Sequence, residues 1–231
     1  MQLLGRFLSL FLVFLLPALP ALADGPSRQV TPESTGDYVL DKNHAHILFS
    51  VKHLGFSDYV GRFNDFDARL RFDGTNPANS TLVVTVNPAS VDTNNKDLET
   101  RLAGDGFFNV AKYAQIVFEA TEIKPFSRTE GTITGNLTML GVTRPITLNA
   151  VLNGLGPNSV ANAFTIGFSA TTTFRRSDWG MKALVPQVGD DVRLTISAEF
   201  NRKDAQPPAA PATGTAAPAT PVAPPTPSAV Q

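Results

Sequence analysis

The chain has 231 residues, no cysteine, 19 basic and 20 acidic residues, and a formal charge of −1. Without cysteine, disulfides, thiolate metal ligands and a cysteine nucleophile are excluded; stability must come from a packed core, which a domain of ~150 residues can supply by burying about two thirds of its unfolded surface. The near-balanced charge argues against nucleic acid as a partner, because phosphate recognition needs a basic excess.

The first segment combines one basic residue, Arg6, an apolar run from Phe7 to Leu16 and small residues ending in Ala21-Leu22-Ala23. This is the pattern of a signal peptide over residues 1–23, with export to the periplasm and a mature chain beginning at Asp24. The run is shorter than the ~20 apolar residues of a spanning helix; a retained anchor is the alternative. Residues 24–36 read as a linker and residues 37–203 as one domain. From Asp204 the chain carries eight of the eighteen prolines and no aromatic residue. Residues 204–231 are therefore expected to be a disordered Pro/Ala/Thr-rich tail, either a spacer or wall-facing tether or a dispensable extension.

Within the domain, period-two alternation marks strands with one buried face. In chain order these are Tyr38 to Lys52, the run around Phe66, Ala68, Leu70 and Phe72, Ser80 to Asn87, Gln115 to Lys124, Glu130 to Leu140, Pro145 to Leu155, the run Phe164, Ile166, Phe168 and Ala170, and the run from Val192 to Phe200. Asp73-Gly74, Asn76-Pro77, Pro125 to Thr129, Gly141 to Arg144 and Gly154 to Asn158 supply turn chemistry between them, so neighbours should pair as antiparallel hairpins. Parity slips between Phe63 and Phe66, which predicts a bulge near Asn64 if both rings point inwards. The segment after Pro88 predicts one short helix, capped by Asp92 or Thr93, with Leu98 and Leu102 on one face, an Asp97–Arg101 pair and an exit at Gly104. Such a helix should cover an opening of the sheet, with Phe107 and Phe108 turned towards the dry face. The fold class is thus all-β: eight antiparallel strands with one buried face each can form a sandwich or close on themselves, and the expectation is an eight-stranded antiparallel barrel, because closure removes the exposed edges. A barrel of this size is either filled by side chains or wide enough for one small ligand.

YVLDKNHAHILFSVKHLGFSDYVGRFNDFDARLRFD, VDTNNKDLETRLAGDGFFNVAKYAQIVFEAT, GNLTMLGVTRPITLNA and FSATTTFRRSDWGM keep order and spacing with a known pattern. Together they resemble the YceI-like family of exported bacterial proteins, from about Asp37 to Arg202. The resemblance implies a lipocalin-like barrel holding a polyisoprenoid, such as an isoprenoid quinone or prenyl diphosphate, in an elongated cavity. It implies no enzymatic activity and no cofactor beyond the bound lipid. The partners would be that apolar ligand and a membrane-associated donor or acceptor.

The candidate lining consists of Phe49, Val51, Phe66, Leu70, Phe118, Leu137, Leu148, Phe164 and Phe168 on the strands, with Phe107, Phe108 and Trp179 as cover. Each methylene taken from water by such a lining contributes ~0.8 kcal/mol. An ordinary filled core would show the same parity, which leaves a structural or interaction domain with an envelope tether as the alternative. The head-group candidates are His44, His53 and Arg176, near a mouth beside the helix and the Trp179 loop. Arg176 reads equally as half of a local ion pair with Asp178, and the histidines as loop braces. His44 and His46 share a face while His53 has the opposite parity, so the three do not converge as metal ligands. A metal or haem partner using His44 and His46 is the remaining rival.

Overall fold

A computed structural model describes residues 25–203; the expected signal segment and tail lie outside the described residues. The strands are β1 (Gly36–Leu40), β2 (His46–His53), β3 (Ser57–Phe63), β4 (Phe66–Phe72), β5 (Thr81–Val86), β6 (Val91–Asp92), β7 (Ile116–Pro125), β8 (Glu130–Met139), β9 (Val142–Asn158), β10 (Ala163–Arg175) and β11 (Val188–Arg202), with one helix, α1 (Lys96–Ala103). Several are pieces of longer staves. Both β1 and β2 pair with β11; β4 and β3 pair with β1 and β2; β5 and β6 pair with β4 and β3. Counting β1/β2, β3/β4 and β5/β6 as one stave each, with β7 to β11, gives eight, and Leu40↔Phe200 closes the ring. The expected closed antiparallel barrel is what the chain forms.

The breaks within the staves follow from local side-chain chemistry. Asp41 accepts from the Asn43 N–H at 3.0 Å ahead of a turn at Lys42–His44, and Asn87 accepts from the Ala89 N–H at 3.0 Å ahead of another at Pro88–Ser90. Such bonds offer the backbone an alternative to the ladder. Between them, Asn64 and Asp65 interrupt the middle stave, tied to the Pro88 turn by Asn64 N–H to Ser90 O at 3.1 Å and Asn87 N–H to Asp65 O at 2.9 Å. Three neighbouring staves therefore bend together. Phe63 and Phe66 are both buried, as the parity slip required; the strand is broken there into a corner rather than carrying one extra residue.

β4 alternates without a fault: Phe66, Ala68, Leu70 and Phe72 are buried and the residues between them exposed. Two glycines let aromatic rings lie flat on the inner wall. A β-carbon at Gly61 would run into the Phe49 ring, and one at Gly135 into the Phe118 ring and the Glu119 carbonyl. Gly135→Ala should therefore lower the unfolding free energy by ~1–3 kcal/mol, the usual cost of overpacking, measurable by denaturant titration. An unchanged midpoint would mean that the wall yields there.

α1 begins one turn later than Asp92 or Thr93 would set it. Its cap is Asn95, which accepts from the Leu98 N–H at 3.2 Å, while the Thr93 N–H donates to Glu99 at 3.0 Å. The helical ion pair is Lys96–Glu99 at 2.7 Å; among the described residues Asp97 and Arg101 form none. The helix ends at Gly104 as read.

The segment expected as a linker is tied at both ends across the opposite opening. Ser27 bridges to Leu155 of β9 through two backbone hydrogen bonds of 2.9 and 2.7 Å. The far end is held by Gly74 N–H to Thr35 Oγ1 at 2.9 Å, buried Tyr38 Oη to Ser34 O at 2.7 Å and Arg202 Nη1 to Glu33 O at 2.7 Å. Residues 26–35 thus form a strap over one end of the barrel, and α1 stands at the other.

Candidate ligand-binding cavity

The inward side chains leave two chambers. The larger, about 530 Å³, lies towards the strap; the smaller, about 180 Å³, lies towards α1. Ile47, Val84, Leu148 and Ile196 line both, one from each of four staves, and so form a waist between the chambers. Phe66, Leu70 and Phe168 line the larger chamber. Phe49, Val51, Phe107, Phe108, Phe118 and Leu137 line the smaller. Leu148 completes the set of ten predicted lining residues that the fold brings to the two chambers.

Phe164 and Trp179 stand outside both linings. Phe164 lies beneath the Arg202 guanidinium, 4.8 Å from its centroid. Trp179 is 2% exposed, packs edge-on to Phe174 at 5.0 Å and donates Nε1–H to the Leu137 carbonyl at 3.0 Å. It packs behind the wall at the α1 end, and Phe174 is the ring of the pair that lines the chamber.

The three head-group candidates are not gathered. His44 and His53 are exposed, on separate segments of the first stave. Arg176 does reach the smaller chamber, but it is 4% exposed and its guanidinium is spent on the backbone. Nε donates to Gly189 O at 2.9 Å, Nη1 to Met181 O at 3.0 Å and Nη2 to Val188 O at 3.0 Å. The ion pair with Asp178 does not form; Asp178 instead offers its carbonyl to Arg144 Nε at 2.6 Å. Burial pulls the Arg176 pKa down, with the nearby Asp190 carboxylate opposing.

His44 Nδ1 lies 3.0 Å from Asp41 Oδ2, and that hydrogen bond holds the imidazole pKa above 6.5 and the carboxyl below its ordinary value. A raised histidine pKa stabilises the fold fully below the unfolded value and loses that contribution as pH rises through the folded one. NMR titration of His44 should therefore give a midpoint above 6.5, and Asp41→Asn should return it towards the ordinary value; a wild-type midpoint at or below 6.5 would remove the pair. Asp41, His44 and Glu199 bring ligand atoms within 4.8 Å of one another. The Asp41 carboxylate there already accepts from Asn43 N–H and from Asn201 Nδ2, the latter at 3.2 Å. His46, the other histidine of the rival metal reading, does not belong to this trio.

Polar groups instead collect at the strap end. Arg28, Gln29, Ser127, Arg128, Thr129 and Glu130 line the outer part of the larger chamber. The sequence flagged residues 125–129 only as a turn, and residues 28 and 29 carried no periodic signal at all.

A family model described as the YceI-like domain matches residues 38–200. The chain belongs to the YceI-like family. A UPF0312 protein of Pseudomonas paraeruginosa is 39% identical over 188 residues, covering 80% of this chain and 97% of the relative. Among solved structures, the Campylobacter jejuni YceI protein is 33% identical, covers 66% of this chain and 90% of its own, and superposes with a TM-score of 0.60. Two more distant structures share the fold. Burkholderia cenocepacia BcnA is 22% identical with a TM-score of 0.60, covering 69% and 98% of the two chains. A polyisoprenoid binding domain from Saccharophagus degradans is 14% identical with a TM-score of 0.53, covering 71% and 98%. The YceI-like match begins after the strap, so the polar residues at positions 28 and 29 precede the residues it matches.

Proposed function

We propose that this YceI-like protein is exported to the periplasm and binds the hydrocarbon chain of a polyisoprenoid, an isoprenoid quinone or prenyl diphosphate, along the barrel axis. The observation that carries the reading is the pair of apolar chambers lying on either side of the shared residues Ile47, Val84, Leu148 and Ile196. An elongated apolar interior suits an extended greasy chain, with each buried methylene worth ~0.8 kcal/mol. That the Saccharophagus degradans domain of the same fold is a polyisoprenoid binding domain supports the same ligand class. The role is binding or carriage rather than catalysis, with the lipid as the sole small-molecule partner and a membrane-associated donor or acceptor at either end of transit. Among the described residues no helix is long and apolar enough to cross a membrane.

Native mass spectrometry of the full chain, secreted by its own leader into a bacterial periplasm, tests this. The expected spectrum contains the processed protein with a lipid-sized adduct, and the delipidated barrel should take up an isoprenoid quinone on titration. A barrel that emerges empty and refuses both quinones and prenyl diphosphates would overturn the binding reading in favour of a structural domain.

A further inference from the structure

We propose that the strap end is the port of the barrel, where Arg28 and Arg128 recognise a phosphate-bearing head group while the prenyl tail points towards α1. This deepens the binding reading and rests on it. The two ends of the cavity differ in chemistry. At the strap end two guanidinium groups stand against one carboxylate, Glu130. At the α1 end the only charged lining group is Arg176, already committed to three carbonyls. A lipid with an apolar tail and an anionic head has one favourable orientation in such a cavity.

The strap-end arginines have donors to spare. Among the described residues Arg128 makes no side-chain hydrogen bond or ion pair, and Arg28 uses only Nε, donating to Asn153 O at 3.0 Å. The remaining planar N–H groups suit phosphate oxygens, which guanidinium binds bidentately. The same segment supplies the way in. Its Ser27 side hangs on the short bridge to Leu155, whereas its Thr31–Thr35 side is pinned by the Tyr38, Arg202 and Gly74 bonds. Releasing the bridge together with the Arg28–Asn153 bond lets Arg28 swing out on the pinned side and return over an occupied cavity. The strap lies ahead of the family match, which covers residues 38–200.

The test compares a prenyl alcohol with the diphosphate of the same chain, titrated into wild-type protein and the Arg28→Gln/Arg128→Gln double variant. Wild type should prefer the diphosphate by at least about tenfold, the scale of one charge-assisted hydrogen bond, and the variant should bring the ratio of the two affinities towards one. Because the ratio is read, a variant that merely folds less well moves both ligands alike. Orientation is read from Trp179, the single tryptophan: a chain brominated at its tail should quench it, and one brominated next to the head should not. Equal affinities in wild type, or quenching by the head-end bromine, would overturn the port while leaving lipid binding intact. Displacement of the lipid diphosphate by an equal concentration of inorganic diphosphate would also overturn it, showing a free-anion site instead. If neither prenyl ligand binds, the binding reading falls as well.

Discussion

Replacing Leu148 by tryptophan should lower the affinity for a long prenyl chain by about two orders of magnitude, while a short chain that ends within the larger chamber loses far less. Leu148 is 7% exposed and lines both chambers, so a larger ring at this position fills the waist instead of the wall. A blocked waist keeps the tail out of the 180 Å³ beyond it. Each methylene left in water forfeits ~0.8 kcal/mol, so even four of them amount to ~3 kcal/mol, which is somewhat more than a hundredfold in affinity. Overpacking will cost some stability, ~1–3 kcal/mol, and for that reason the decisive quantity is the ratio of long-chain to short-chain affinity within each protein. Isothermal titration with two prenyl alcohols of different length measures it. If the ratio stays at the wild-type value, the chain does not pass the waist and the two chambers are separate voids.

The staves were legible because one face of each is wet. In β4 the pattern Phe66, Ala68, Leu70, Phe72 against charged neighbours admits one reading, and in β11 the inward Ala198 and Phe200 continue the row begun at Val192. Corners were harder. Tyr38 to Lys52 reads as one strand, yet Tyr38 and Leu40 sit on even positions and Ile47, Phe49 and Val51 on odd ones. That slip is the same signal that exposed the break at Asn64, and the Asx turn at Asp41 is its cause.

The polar port was illegible for a different reason. Residues 25–35 hold one large apolar residue, Val30, and no periodicity, so nothing local distinguishes a strap from a linker. Its place is set by partners far along the chain: Leu155, Asn153, Gly74 and Arg202. The head group was accordingly expected beside the helix, where the sequence had gathered its conspicuous residues. Of these, Trp179 packs behind the wall and Arg176 braces a loop. Both are structural uses of residue types that also serve binding sites, and only three-dimensional partners separate the two.

Arg176→Leu should cost the protein ~3–5 kcal/mol of stability, because three carbonyls around a buried side chain lose their donor at ~1–3 kcal/mol each. The guanidinium joins Met181, midway along the stretch between β10 and β11, to Val188 and Gly189 at the start of β11. Arg176 O in turn accepts from the Met181 N–H at 3.3 Å, and the Asp190 carboxylate accepts from Ser177 N–H and Oγ–H at 2.9 and 2.6 Å, so Arg176 works beside a second tie at the start of the loop. With leucine there, three carbonyls lose their donor, and a buried acceptor left unmet costs ~1–3 kcal/mol. Lysine should recover less than half of the loss, since an ammonium on a flexible stem cannot present a planar fork to three separate oxygens. The lowered pKa of Arg176 still leaves it charged across the neutral range, given how high guanidinium values start, so the deficit should be the same at pH 6 and pH 8, unlike anything involving His44. Denaturant unfolding of the wild type, Arg176→Leu and Arg176→Lys at both pH values measures each part. A loss below about 1 kcal/mol in Arg176→Leu would mean that water reaches those carbonyls, and the α1 end of the cavity would then be wet rather than sealed.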